Sequence, residues 1–379
     1  MRHIENKVCV YAICKNEELF VDRWVQSMSE ADYICVLDTG STDNTVEKLK
    51  QYDNVIVGQK EITPWRFDVA RNESMKLIPE DANILCCIDL DEVFDPGWAQ
   101  VLRETWQDWT ERAWYMYVWS HDEYGNGARK FKCNKIHSRN YYWKYPVHEA
   151  LTRQEQEVDE KSVAIDVSEL VTLQHHPDVN KSRGSYLPLL EQRKAEDPDE
   201  YCGRIYLAHE YSYRGFYEKS NQELSEILEK FNDGVTMDKT DIASCHLFMG
   251  DNYYYMNEYN KALQEYDNCV QADWTYREGY LGCAKILIAK KYYDLAIWRL
   301  KHCIKNGVRH YSWLERDNSW TWEPWDMLAG ACFYNGDKVE SIAFATKALT
   351  YSPQDERLQS NLQACINNST DEELIYGLC

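Results

Sequence analysis

Four short apolar runs, separated by three stretches of helical periodicity, fill the first ninety or so residues, and this alternation restricts the fold more than any other feature of the chain. Lys7 to Ile13 is rich in β-branched and aromatic residues and stops at Cys14-Lys15-Asn16-Glu17-Glu18, after which Leu19, Trp24, Val25 and Met28 recur at helical spacing. Tyr33 to Leu37 is the second run, Asp38 to Thr45 its turn, and Val46 to Tyr52 the next helix. Asp43 is placed as its N-cap, which leaves Asp38 exposed at the strand's carboxyl end. Val55 to Gly58 follows, and Trp65 to Asn72 opens a helix reaching about Leu77. Arg71, near the start of that helix, opposes the helix dipole and requires an anionic partner or solvent. Asn83 to Ile88 is the fourth run, short and apolar as a strand covered on both faces. Strands and helices in this order predict a mostly parallel sheet of the nucleotide-binding kind.

The fourth run ends in three acids, Asp89, Asp91 and Glu92. Ligands of open α/β sheets bind beyond the carboxyl ends of the strands, where paired carboxylates suit a hard divalent cation carrying phosphate; the competing reading is a solvated acidic turn. A net charge of −21 excludes a nucleic-acid scaffold with a basic stripe, so an anionic substrate would be held locally, by a metal or a few cations. No apolar stretch is long enough to span a bilayer and the first residues lack a signal-peptide core, so a cytoplasmic protein without a transmembrane segment is expected. The 14 cysteines include no Cys-x-x-Cys pair, which favours reduced structural thiols over a zinc or disulfide framework.

Four segments together carry a resemblance: Lys15-Asn16-Glu17-Glu18, Leu37-Asp38-Thr39-Gly40-Ser41-Thr42-Asp43-Asn44-Thr45, Phe67-Asp68-x-Ala70-Arg71-Asn72 and Asp89-Leu90-Asp91-Glu92. In this order and spacing they resemble glycosyltransferase family 2, with its GT-A fold. The resemblance implies that Asp38 contacts the nucleoside, usually uridine, and that Arg71 lies beside base and phosphate. It implies that Asp89 and Asp91 meet the ribose and bind Mg²⁺ or Mn²⁺ bridging the diphosphate of a nucleotide-sugar donor. A cation there would stabilise the charge that builds on the leaving phosphate, which makes Asp91 catalytic as well as a metal ligand.

Beyond Trp114 the pattern is strand-like, over Trp114 to Trp119, Phe131 to Ile136 and Ala164 to Leu173, with Gly125-Asn126-Gly127 as a turn. The aromatics of Tyr141 to Glu149 suit either a stacking floor for a sugar or a core. Val147-His148-Glu149 resembles a segment in the acceptor half of some bacterial family members, including lipopolysaccharide-core transferases. An inverting transfer needs a base for the acceptor's proton; Glu149 is the first candidate, with Asp91 or Glu92 behind it, and a loop-orienting role for Glu149 stays open. In the cluster His175-His176-Pro177, followed by Lys181 and Arg183, one histidine, taken as His176, can complete a metal shell while the two cations neutralise diphosphate. A surface turn is the alternative.

At 379 residues the chain is too long for one core. Pro188 to Asp199 reads as a linker, beyond which strand patterns vanish. Ala262, Tyr266 and Cys269 return 34 residues later as Ala296, Leu300 and Cys303, the tetratricopeptide period. Related positions at Leu207-Ala208-Tyr211, Met249-Gly250-Tyr253 and Leu328-Ala329-Cys332 give four repeats and a terminal helix over about 354–366, although alanine replaces the repeat's glycine in three of the four. His310 to Trp320 is an insertion whose aromatics either grip a ligand or partner or pack on the first domain.

The expected architecture is therefore an α/β GT-A domain (1–187), a linker (188–200) and an all-α tetratricopeptide-like domain (201–379). This pairing resembles bacterial enzymes that glycosylate bacteriocin peptides on Cys or Ser. The resemblance implies a metal-dependent inverting glycosyltransferase that uses a uridine-linked sugar and a peptide or protein acceptor brought by the repeats, which could equally build a homodimer. A lipopolysaccharide or surface-polysaccharide acceptor is the alternative, and a non-catalytic nucleotide-binding scaffold is the reading of a different class.

Overall fold

The computed structural model describes residues 6–121, 127–154, 163–178, 184, 186–232, 234, 236–309, 311–312 and 315–370. The chain divides into two compact units, the first made of residues 1–199 with 311–313 and the second of residues 200–310 and 314–379.

The first unit begins β1 (Val8–Cys14), α1 (Val21–Met28), β2 (Tyr33–Asp38), α2 (Thr45–Leu49), β3 (Val55–Gln59), α3 (Phe67–Met75) and β4 (Ile84–Cys87), the order expected from the apolar runs. It continues with β5 (Glu92–Phe94), α4 (Trp98–Thr105), β6 (Arg112–His121), β7 (Gly127–His137), β8 (Tyr141–Lys144), β9 (Ala150–Arg153), β10 (Ala164–Asp166), β11 (Thr172–His175) and α5 (Tyr186–Glu196). Among the described residues nine strands form one sheet in the order β3-β2-β1-β4-β7-β6-β11-β5, with β10 beside β6, while β8 and β9 form a separate hairpin. β1 to β4 are mutually parallel, whereas β7 joins antiparallel between β4 and β6.

Period-two alternation sends β1 into two cores. Val8, Val10 and Ala12 pack with Trp24 and Met28 of α1 and Trp98 and Leu102 of α4, while Cys9 and Tyr11 pack with Cys35, Cys87, Tyr141 and Trp143. Trp24 and Trp98 are fully buried, each contributing on the order of 3 kcal/mol by removing apolar surface from water.

Three expectations change here. The stretch read as one strand over 164–173 is two, β10 and β11, because Asp166 turns the chain by accepting from Ser168 N (3.0 Å) and Ser168 Oγ (2.6 Å). The 188–200 linker is largely α5, which belongs to the first unit; Pro188 lies in its first turn, where no helical hydrogen bond is lost, and Leu189, Leu190 and Arg193 are buried. The aromatics of β8 and its following loop are core, since Tyr141, Trp143 and Tyr145 alternate inward. The turn expected at Gly125-Asn126-Gly127 involves residues outside those described.

The second unit is helical: α6 (Tyr201–Tyr213), α7 (Tyr217–Asn232), α8 (Lys239–Tyr255), α9 (Tyr259–Ala272), α10 (Arg277–Ala289), α11 (Tyr293–Lys305), the short α12 (Asp317–Trp320), α13 (Glu323–Asn335), α14 (Lys338–Tyr351) and α15 (Glu356–Asn367). Consecutive helices pair as α6/α7, α8/α9, α10/α11 and α13/α14, and α15 closes the series. Each pair turns through a left-handed residue, at Gly215, Asn257, Lys291 and Gly336. In each turn the next amide donates back to the last helical turn, as Phe216 N does to Tyr211 O and Tyr292 N to Leu287 O, both at 2.8 Å. Small residues allow the pairs to nest. The Tyr266 ring lies between α8 and α10, where a Cβ at Gly250 or Gly282 would come within 2.6 or 2.5 Å of it.

The inserted stretch carries no free aromatic grip in its described C-terminal part. Glu278 of α10 accepts from Arg316 N (2.7 Å) and Ser319 Oγ (2.6 Å), and the Arg277 guanidinium covers the Trp320 ring at 3.9 Å. His310, Trp313 and Leu314 lie outside the described residues.

Candidate functional site

The carboxyl ends of β1, β2 and β4 and the start of β5 bring the acidic segments together. The first two motifs brace one another: Asn16, held at φ 57°, accepts from Thr42 N (2.7 Å) and donates through its own amide to Ser41 Oγ (2.8 Å), while Glu17 N donates to Thr45 Oγ1 (2.7 Å). Asp38, expected to be exposed, is 2% exposed. Its turn, with Gly40 at φ 111°, folds back so that Gly40 N (3.2 Å) and Ser41 N (3.1 Å) donate to the carboxylate. Unpaired turn amides need an acceptor, and Asp38 supplies it. Asp43, expected as the N-cap of α2, stands one residue before it: the cap position is Asn44, and Asp43 instead closes the turn by accepting from Thr45 N at 3.0 Å.

Arg71 sits in the second turn of α3, buried, and finds the anionic partners that its position demanded. Nη1 and Nη2 donate to the two oxygens of Asp89 at 2.8 and 3.1 Å, Nε donates to Glu149, and the guanidinium lies 5.4 Å from the Trp143 ring centre. Arg71 therefore ties the acid at the end of β4 to the acid before β9.

A second cation, Lys135 of β7, was not singled out from the sequence. Its Nζ lies 3.6 Å from Asp89 and 3.4 Å from Glu92. The signal was weak: Lys135 shares a strand face with Cys133 and His137, an inward place for a charge. Although burial pushes the Asp89 carboxyl up, Arg71 and Lys135 outweigh it and hold Asp89 well below the usual carboxylate range. Glu92 is 2% exposed, accepts from Asp89 N (2.8 Å), and is pushed up by burial and then by the neighbouring acids. Its carboxylate is engaged by the Asp89 amide and by Lys135.

The two histidines differ. β11 pairs antiparallel with β5 so that His175 stands opposite Glu92, which places its Nε2 3.4 Å from Asp91 Oδ2, while Nδ1 donates to the Trp119 carbonyl at 3.0 Å. His176 donates only its backbone amide to Asp91 O (2.8 Å), and its ring stacks on His121 at 4.9 Å. The expected imidazole was His176; the register puts the ring of His175 beside the acid instead. With Nδ1 committed as a donor, a neutral His175 turns its Nε2 lone pair toward a carboxylate. Two acceptors in that arrangement call for a positive species between them, a proton or a metal ion. The carboxylate suits a hard cation such as Mg²⁺ or Mn²⁺, and the imidazole beside it suits a transition metal, so as a pair they fit Mn²⁺ better than Mg²⁺. Lys181 and Arg183 lie outside the described residues.

Beneath the site runs a buried hydrogen-bond chain that the sequence did not suggest. Trp143 Nε1 donates to the Tyr11 hydroxyl (2.7 Å), Tyr11 donates to His137 Nε2 (2.7 Å), and His137 Nδ1 donates to Ser138 O (2.7 Å). Asn72, next to Arg71, exchanges two hydrogen bonds with the Trp143 backbone, at 2.7 and 2.9 Å. These contacts fix the ring under Arg71.

Residues 9–151, which contain this constellation except for the histidines, match the family model described as Glycosyl transferase family 2. Residues 9–151 are a glycosyltransferase family 2 domain. Members of this family generally use nucleotide-sugar donors and divalent metals. No curated protein sequence matches the chain.

Solved tetratricopeptide-repeat structures resemble the helical half. One is a thermophilic TPR protein of Thermus thermophilus, at 16% identity and a TM-score of 0.34 over 48% of this chain and 89% of that one. Another is YrrB, a TPR protein with an unusual peptide-binding site, at 13% identity and 0.38 over 49% and 88%. A third is MamA 41-end from Desulfovibrio magneticus RS-1, at 13% and 0.35 over 48% and 94%. Likenesses this distant say nothing of what the repeats bind. Among the described residues no helix is long and apolar enough to cross a membrane.

Proposed function

We propose that the first unit is a metal-dependent inverting glycosyltransferase that moves a sugar from a uridine diphosphate donor to a peptide or protein acceptor presented by the repeats. The observation that supports the metal part is His175 Nε2 set 3.4 Å from Asp91. Asp91 and His175 would hold Mg²⁺ or Mn²⁺, with Asp89 fixed alongside by Arg71 and Lys135. The cation, when bound, supplies charge stabilisation to the leaving diphosphate.

The remaining work falls to the chain's own side chains. Asp38 shapes the nucleoside end of the site by holding the Gly40 and Ser41 amides. Arg71 keeps Asp89 and Glu149 in fixed relation. Glu149, held by Arg71, would take the proton of the attacking group as it approaches the anomeric carbon from the face opposite the diphosphate. Support for a peptide acceptor is the joining of a family 2 domain to helical repeats in one chain.

The deciding experiment is hydrolysis and transfer with a panel of nucleotide-sugars and Mn²⁺, offered either peptide pools or simple saccharides as acceptors. The proposal expects metal-dependent turnover of one uridine-linked donor and transfer to peptide. Absence of turnover for every donor would overturn the enzyme, and transfer to saccharides alone would overturn the peptide acceptor.

A further inference from the structure

Glu149 ends a loop whose backbone is strained twice. Tyr145 has φ 82°, a left-handed value that a bulky aromatic side chain rarely adopts, and His148, at φ 47°, is left-handed too. Such conformations persist only where the surroundings over-determine them, and here the holding groups can be named. Arg193, 3% exposed in the last turn of α5, lays its guanidinium over the Tyr145 ring at 4.0 Å, and its Nη1 donates to the carbonyls of Val147 (3.2 Å) and His148 (2.6 Å). Asp197, one residue beyond α5, accepts from the Tyr145 hydroxyl (2.8 Å) and from Lys144 Nζ (3.1 Å). From the other side Phe67 N, the first amide of α3, donates to Pro146 O at 3.0 Å. Every residue from Lys144 to His148 is thus tied down, and Glu149 follows directly.

We propose that the C-terminal turn of α5 is a clamp for the 144–149 loop, and that Arg193 is a positioning residue which sets Glu149 against Arg71. The catalytic consequence rests on the reading of Glu149 as the base; the clamp itself does not. A planar fork is required, because one group must cover a ring and reach two carbonyls together. A lysine at this place offers a point charge without the plane.

The test uses the full chain carrying Arg193→Lys or Arg193→Ala, with Asp197→Asn as a surface variant that leaves the core untouched. Amide exchange of Tyr145, Val147, His148 and Glu149, calorimetric binding of uridine diphosphate with Mn²⁺, and turnover of the preferred donor are measured side by side. Expected are at least tenfold faster exchange in the loop for each variant, diphosphate affinity within about threefold of the parent, and kcat lowered at least tenfold with donor KM unchanged. Methylguanidinium should restore part of kcat to Arg193→Ala. Loop exchange unchanged in Arg193→Lys and Asp197→Asn would overturn the clamp. Looser loops together with normal turnover by Glu149→Gln would keep the clamp and overturn the base; if the parent turns over no donor, the exchange measurement alone decides the clamp.

Discussion

One hydrogen bond, from His175 Nδ1 to the Trp119 carbonyl, turns the other ring nitrogen of His175 toward Asp91, while the adjacent His176 stacks on His121. His175→Gln should weaken Mn²⁺ binding, measured by calorimetry with uridine diphosphate present, by about 10- to 100-fold. His176→Gln should change it less than about threefold, and equal losses in the two variants would return the choice to His176. Glu149→Gln should lower transfer on the order of 10²-fold or more while diphosphate affinity holds; unchanged transfer would move the base elsewhere. The acids Asp38, Asp89 and Asp91 were legible in the sequence because each stands at or next to the end of an apolar run, where chain order alone places it. Lys135 and the choice of histidine were not, since both depend on antiparallel pairings, β7 beside β4 and β11 beside β5, that no local pattern announces.

Elements are held by contacts that titrate or clash, and both can be tested. Burial pulls the His137 imidazole down to about 3, below its ordinary 6.5, so the fold keeps it neutral as the acceptor of Tyr11. A histidine with a depressed folded-state pKa contributes stability that is complete above the unfolded value and is lost as pH falls from 6.5 toward 3. The full loss is on the order of 3–5 kcal/mol, so the melting temperature of the first unit should fall steeply between pH 6.5 and 4. His137→Gln, which keeps one donor and one acceptor, should flatten that slope, and an identical slope would assign the acid sensitivity to other groups. In the second unit Gly282→Ala gains about 1 kcal/mol of helix propensity and loses about 1–3 kcal/mol by driving a Cβ into a tyrosine ring already pinned from the Gly250 side. The net should be a lower melting temperature, partly restored by Tyr266→Leu; a stabilised variant would show that the ring is free to move. The helical period was readable from Ala262, Tyr266 and Cys269, all buried. α5 was not, because Pro188 and a run of charges resemble a linker until Leu189, Leu190 and Arg193 are seen to share a buried face.

At the scale of the whole molecule the switch from strand alternation to a 34-residue helical recurrence was plain, for the two halves bury their side chains with different periods. The place of the join was not, and this has a consequence for any attempt to separate the halves. A chain ended at residue 187, where the sequence alone puts the boundary, loses Arg193, Glu196 and Asp197, and with them the ion pair from Arg66 to Glu196 and the Arg193 and Asp197 contacts to the 144–149 loop. A chain ended at Asp199 keeps them all, together with both cores of the sheet. The 1–199 chain should therefore melt cooperatively and bind uridine diphosphate with Mn²⁺ within about threefold of the full protein, yet fail to glycosylate peptide, since the repeats are gone. The 1–187 chain should melt at lower temperature and exchange its loop amides faster. Calorimetry and amide exchange on the two fragments check both statements. Equal loop exchange in the two would mean that α5 is dispensable, and full peptide transfer by 1–199 would mean that the repeats are.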